Sequence, residues 1–146
     1  HIRESLHYFS KANLFQKMQT FSKQERLYSK KKINTLFVEG EKFCTSSFEV
    51  IWQQKELNIE FPAKIMISIP KKNIKNANER NLLKRLIRES YRKQKKKLYQ
   101  ILLKQEKQII FGIVYQKSDL TTYKDIEVEI NFILDRLIKK NEATLE

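Results

Sequence analysis

The stretch from Lys71 to Lys97 constrains this chain more than any other. It holds twelve Lys or Arg residues against Glu79 and Glu89, a net +10 within a chain of formal charge +13. It contains neither Gly nor Pro. At about 100° per residue, Leu82, Leu83, Leu86 and Ile87 fall on one side of a helix. Arg80, Asn81, Lys84, Arg85, Arg88 and Arg92 fall roughly opposite. Arg80, Lys84, Arg88 and Arg92 follow one another at i, i+4 spacing and form a single rail. Like charges so placed repel by a few tenths of a kcal/mol per pair. Glu89 offsets part of this, and the remainder calls for an external anion. Asn76, with Glu79 three residues on, supplies a helix start. The pattern predicts one helix from there to about Gln105. Its apolar side must be covered, and its basic side must not be.

The totals fit one domain. At 146 residues the chain has 40% hydrophobic and 32% charged residues, and its pI is about 9.8. Two Gly and two Pro are too few for a turn-rich all-β fold. Cys44 stands alone, which excludes an internal disulfide and a thiolate metal cage and fits a reducing, cytoplasmic setting. The longest apolar run, Ile109 to Tyr115, is far short of the roughly 20 residues that cross a bilayer. Residues 1–20 are polar with scattered aromatics and read as a flexible or helical N-terminal extension, leaving residues 21–146 as the single domain.

Along that domain, Ile33, Leu36 and Phe37 mark a first helix over roughly Ser29 to Glu39, ended by Gly40 as a C′ glycine. Phe43 to Gln53 alternates as a strand. Leu57 to Phe61 and Lys64 to Pro70 read as two further extended segments parted by Pro62. After the basic helix, the continuous run Ile109 to Tyr115 reads as a central strand. Thr122 caps a last helix over about Tyr123 to Lys140, with Ile126, Ile130, Ile133, Leu134 and Leu137 on one side. The order is α-β-β-β-α-β-α. It predicts an α+β fold, a two-layer sandwich in which helices cover one face of a mixed four-stranded sheet.

Catalytic constellations are absent from the pattern. His1 and His7 lie in the extension, and Glu127 and Glu129 point to different sides of a helix and read as solvated. There is no Gly-rich phosphate loop, metal-ligand cluster or nucleophile motif. The chemistry on offer is binding. A one-faced Arg-rich stripe is the footprint of a nucleic-acid binder. A merely solvated face and a membrane-surface helix are the competing readings. The Leu and Ile of the apolar side suit packing on a sheet better than dipping into headgroups.

The motif Arg80-Asn81-x-x-Lys84-Arg85-x-x-Arg88-Glu89-x-x-Arg92, preceded by Lys71-Lys72 and Ala77, resembles the signature of the protein subunit of bacterial ribonuclease P. Leu82 stands where that family usually has Arg, and Lys75 where Gly is common. Arg26-Leu27, Lys30-Lys31-Lys32, Phe37 and Gly40 extend the likeness, with Ile33 where Phe is frequent. It covers about Phe21 to Asn141. The resemblance implies a fold like the second domain of ribosomal protein S5, with a left-handed β-α-β crossover through the basic helix. It implies an accessory subunit of a tRNA 5′ endoribonuclease whose catalytic centre is RNA. No cofactor would be held by the protein, and Mg2+ would be held by the RNA. Lys71, Lys72, Arg80, Asn81, Lys84, Arg85, Arg88 and Arg92 would bind the catalytic RNA. Ile33, Phe37, Phe48 and Trp52 would line a cleft for the 5′ leader of precursor tRNA, although plain core is the stronger reading for Phe37 and Phe48 and an even one for Trp52. Tyr91 reads as packed at the helix edge. Neither a membrane nor an obligate protein partner is implied. The rival is a general RNA-binding or ribosome-associated module with no role in tRNA processing.

Overall fold

The computed structural model describes residues 18–142. Residues 1–17, and so most of the expected extension, lie outside them. A 3-10 turn, Lys23–Glu25, leads into α1 (Lys30–Glu39), β1 (Glu41–Cys44), β2 (Phe48–Gln54) and β3 (Ala63–Ser68). Then come α2 (Ala77–Gln94), α3 (Lys96–Lys104), β4 (Ile109–Tyr115) and α4 (Tyr123–Glu142). The sheet order is β1-β2-β4-β3. β1 and β2 are antiparallel, β2 and β4 antiparallel, and β3 and β4 parallel. The fold is the α+β, four-stranded mixed-sheet architecture expected.

Two strand boundaries differ from the pattern. Phe43 to Gln53 is not one strand but a hairpin broken at Thr45-Ser46-Ser47. The turn is held from a distance. Glu129 on α4 accepts from the Thr45 hydroxyl at 2.7 Å and the Ser47 amide at 2.8 Å, so Glu129 is not the solvated residue expected. Leu57 to Phe61 is not a strand. Its backbone is satisfied by the buried side chain of Gln108 instead of by a ladder. The Gln108 Oε1 accepts from the Leu57 amide at 2.8 Å, and its Nε2 donates to the carbonyls of Ile59 at 3.0 Å and Phe61 at 2.9 Å. A buried amide that meets three backbone groups replaces the pairing those groups need.

The larger core lies between one sheet face and helices α2, α3 and α4. Phe48, Val50, Ile65, Phe111 and Tyr115 meet Leu83, Ile87, Tyr91, Leu98, Ile130 and Leu134 there. On the other face a smaller cluster seats α1: Leu36 packs with Leu27, Ile51, Leu57 and Ile110. The long helices therefore cover one face, as expected, while α1 crosses part of the opposite one. Gly40 ends α1, but not by a left-handed turn, since its φ is −71°. A Cβ at Gly40 would stand 2.5 Å from the Leu36 carbonyl oxygen and 2.6 Å from Ile51 Cγ2, so the glycine is required by close approach.

The helical stretch from Ala77 does end at Lys104 but divides at Lys95, whose buried side chain is drawn inward. Its ammonium donates to the carboxylate of Glu25 and to the carbonyl of Thr20, and the Tyr99 hydroxyl donates to the same Glu25 oxygen. The other Glu25 oxygen accepts from the Ser22 amide at 2.6 Å. This cluster fastens the segment before α1 to the α2–α3 joint, and Met18, 5% exposed, packs into the main core beside it.

Candidate nucleic-acid interface

Helix α2 presents the basic face. Asn76 caps it, its Oδ1 accepting from the amides of Asn78 at 2.8 Å and Glu79 at 3.3 Å. Leu83, Ile87, Ser90 and Tyr91 are its buried positions. The stripe is centred about one residue later than the pattern suggests. Tyr91 is fully buried rather than at the edge, with ring centroids 5.6 Å from Phe21 and 5.8 Å from Phe111. Leu82, 37% exposed, belongs to the outer face and not to the core side. It joins Asn78, Asn81, Lys84, Arg85 and Arg88 around a shallow groove.

The two ends of the expected rail are tied to the protein itself. Arg80 Nη1 donates to the carbonyls of Ile74 at 2.9 Å and Lys75 at 2.8 Å, so its guanidinium clasps the loop that leads into the helix. That loop is braced from within by Asn73 and Ile74, whose amides bond the Pro70 carbonyl, and by the Asn73 side chain, which donates to the Tyr115 carbonyl at 2.8 Å. Lys71 and Lys72 stand exposed upon it. At the other end, Arg92 pairs with Glu89 through two bonds, at 3.0 and 2.6 Å, and donates to the Gln19 carbonyl at 2.7 Å. The Arg92 bond holds the Glu89 carboxyl below the usual carboxylate range. Between these ends Lys84, Arg85 and Arg88 make no ion pair among the described residues. They form a compact cationic centre with Asn81.

The second surface lies on the α1 side of the sheet. Alternation along β2 puts Glu49, Ile51 and Gln53 on this face and Phe48, Val50 and Trp52 on the other. Phe48 is fully buried in the main core, its ring 5.6 Å from that of Tyr115. Trp52 packs against the same core, opposite Phe111 in the ladder. Neither ring faces the cleft, which corrects that expectation for both. Ile33 and Phe37 do face it, half-buried on α1 beside Met66 of β3. Cations accompany them. Lys64 on β3 has its pKa lowered by partial burial and then by the charge of Lys32 on α1. Pattern reading missed Lys32, Lys64 and Met66, because only the tertiary fold brings α1 beside β3. No group of three or more His, Cys, Asp or Glu side chains is placed to hold a metal ion among the described residues. No helix among them is long and apolar enough to cross a membrane.

The model of the ribonuclease P family matches residues 21–138. The ribonuclease P protein component of Porphyromonas gingivalis is 34% identical over 108 residues, covering 73% of this chain and 77% of that one. The chain belongs to the ribonuclease P protein family. The ribonuclease P protein component of Chlorobium phaeobacteroides is 37% identical over 81 residues, covering 53% of this chain and 55% of its own. Among solved structures, the ribonuclease P protein of Staphylococcus aureus superposes with a TM-score of 0.63 at 19% identity, covering 76% of this chain and 93% of that one. That of Thermotoga maritima gives 0.62 at 20% identity, covering 77% and 96%. The family's protein is the accessory subunit of a tRNA 5′ endoribonuclease in which catalysis lies in the RNA.

Proposed function

We propose that this chain assembles in the cytoplasm with the catalytic RNA of ribonuclease P through the centre of the α2 face, and guides the 5′ leader of precursor tRNA over the α1 side of the sheet. Lys84, Arg85 and Arg88 would meet phosphates of the catalytic RNA, with Asn81, Lys71 and Lys72 at the flanks. Arg80 and Arg92 would act mainly by holding the ends of that surface in place. Ile33 and Phe37 would give the leader apolar contact, with Lys32 and Lys64 following its backbone. The observation that carries this reading is that Lys84, Arg85 and Arg88 have no ion pair among the described residues, whereas Arg80, Arg92 and Lys93 of the same helix are bonded within the protein. Cations left unneutralised side by side repel, and a polyanion relieves that repulsion while releasing its own counterions. Magnesium in the assembled particle would be held by the RNA.

The test is cleavage of a precursor tRNA by ribonuclease P RNA at low magnesium, with and without this protein. Stimulation is expected, and the Lys84→Glu, Arg85→Glu, Arg88→Glu triple variant should abolish it while leaving the circular dichroism spectrum unchanged. RNA binding with no stimulation of cleavage would favour a general RNA-binding module instead.

A further inference from the structure

Between the basic helix and the edge strand β3 lies a hollow of which the proposed function uses only the Lys84 and Arg88 wall. Its walls include Phe21, Arg26, Tyr28, Met66, Lys84 and Arg88, and no carboxylate lines it. Residues 26–28 are laid against the sheet edge. Arg26 bridges Ile65 in parallel sense, and the Leu27 amide donates to the Ile65 carbonyl at 2.9 Å. Leu27 therefore points into the core under α1, and Tyr28 is left at the rim, 59% exposed.

Three features of the hollow lack an internal purpose. The Tyr28 side chain makes no hydrogen bond or ring contact among the described residues, although an exposed aromatic ring is costly to hydrate. The Arg26 guanidinium lies 5.0 Å over the Phe21 ring, and its Nε is buried with no hydrogen-bond partner among the described residues. A buried guanidinium nitrogen of this kind is expected to have an acceptor. The nearby carboxylate, Glu25, does not supply one, because it is committed to Lys95, Tyr99 and Ser22. Lys84 and Arg88 complete the set as cations without an ion pair among the described residues.

We propose that this hollow is a subsite for one unpaired nucleotide, its base stacked on Tyr28 and its phosphate held among Arg26, Lys84 and Arg88. A flat exposed ring beside clustered cations is what single-stranded nucleic acid requires, and guanidinium donors match phosphate oxygens. The subsite joins the two surfaces already described. Lys84 and Arg88 belong to the basic face of α2, and Met66 also packs with Ile33 and Phe37 at the leader side. An RNA strand crossing from one surface to the other passes over Tyr28. This inference rests on the proposed function and names where its two surfaces meet.

Tyr28→Ala and Tyr28→Phe test it. Exposure of the side chain means that neither change should disturb folding. With the assembled particle, Tyr28→Ala should weaken binding of leader-bearing precursor tRNA about tenfold, the scale of one stacked base. Tyr28→Phe should stay within about twofold of the parent, because the ring and not the hydroxyl carries the contact. Unchanged binding of a tRNA without leader would identify the nucleotide as part of the leader. A loss shown instead in assembly with ribonuclease P RNA would assign it to a bulged nucleotide of that RNA. If Tyr28→Ala binds both RNAs as the parent does, while the parent stimulates cleavage, the subsite is wrong and the proposed function stands. If the parent fails to stimulate, the proposed function falls. Fluorescence of 2-aminopurine in a single-stranded oligonucleotide then decides on the subsite alone: quenching by the parent that Tyr28→Ala abolishes supports it, and equal quenching overturns it.

Discussion

The ammonium of Lys95 and the carboxylate of Glu25 meet inside the protein, and neither side chain has any exposure to solvent. Lys95 interrupts the helical stretch, and Glu25 belongs to the turn before α1, so the pair links the basic helix to the chain's lead segment. Two charges taken out of water are held by each other, by the Tyr99 hydroxyl, the Ser22 amide and the Thr20 carbonyl, and by the Phe21 and Tyr99 rings that the ammonium faces at 5.8 and 5.0 Å. Removing one partner strands the other. Lys95→Met or Glu25→Leu should each lower stability by about 3–5 kcal/mol in urea unfolding, whereas the double change Lys95→Met, Glu25→Leu should cost far less than the sum. Additive losses would show that the two groups act separately.

The centre of the α2 face should show itself in salt dependence. If Lys84, Arg85 and Arg88 each meet a phosphate, their replacement by Gln should flatten the slope of log affinity against log salt by about 2 to 3. The same three changes should leave urea unfolding within about 0.5 kcal/mol of the parent, since no described side chain pairs with these cations. A slope that does not move would place RNA on another surface.

Arg80 should behave differently from its neighbours in the motif. It donates to two carbonyls of the loop before α2, so Arg80→Gln removes a clasp as well as a charge. A stability loss of about 1–2 kcal/mol is expected. Faster amide exchange should follow at Asn73 and Ile74, whose N–H groups both bond Pro70. RNA affinity should fall with a smaller change in salt slope than for Lys84→Gln. Unchanged exchange in the loop would mean that the clasp is not formed in solution.

The contrast between Arg80 and Lys84 marks what the sequence could and could not show. Spacing on a helix places side chains by angle, and the angle was right for Lys84, Arg85 and Arg88. It says nothing of what lies beyond the helix end, and a guanidinium long enough to reach back five or six residues finds backbone carbonyls there. Strand alternation has a similar limit. It puts Phe48, Val50 and Trp52 together but does not say which sheet face the long helices cover. The pairing of β2 with β4 decides that, by setting Phe48 against Tyr115 and Trp52 against Phe111. Gln108 lies further out of reach, because its three bonds go to residues roughly fifty positions earlier. The central strand and the last helix were legible because each rests on local periodicity alone, whereas the count of three strands before α2 agrees only because one expected strand divides in two and Leu57 to Phe61 forms none.

The two faces of the sheet give separable outcomes for two phenylalanines. Phe48→Ala opens a cavity in the main core and should cost about 3–5 kcal/mol. Once folded protein is compared at equal concentration, its leader affinity should match the parent. Phe37 is only half-buried at the α1 side, so Phe37→Ala should cost less in unfolding and should weaken leader-bearing precursor tRNA more than tRNA without leader. The opposite ranking would put the leader on the helical face.

Alkaline pH should unfold the protein through its buried phenols. Burial raises the Tyr91 hydroxyl above its ordinary value of 10.0, and burial followed by the charges of its neighbours does the same for Tyr99 and, more mildly, for Tyr115. A folded-state pKa above the unfolded one means that the native state holds protons which the unfolded chain has released. Stability from these groups is therefore complete below about pH 10 and declines as pH rises past it. Absorbance at 295 nm should rise for these three residues only together with loss of helical circular dichroism. Tyr99→Phe should shift that transition to higher pH, even though it removes a hydrogen bond to Glu25 and so lowers stability at neutral pH. Tyrosinate absorbance from all six tyrosines developing before the helix signal falls would show that the rings at the α2–α3 joint are reached by hydroxide in the native fold.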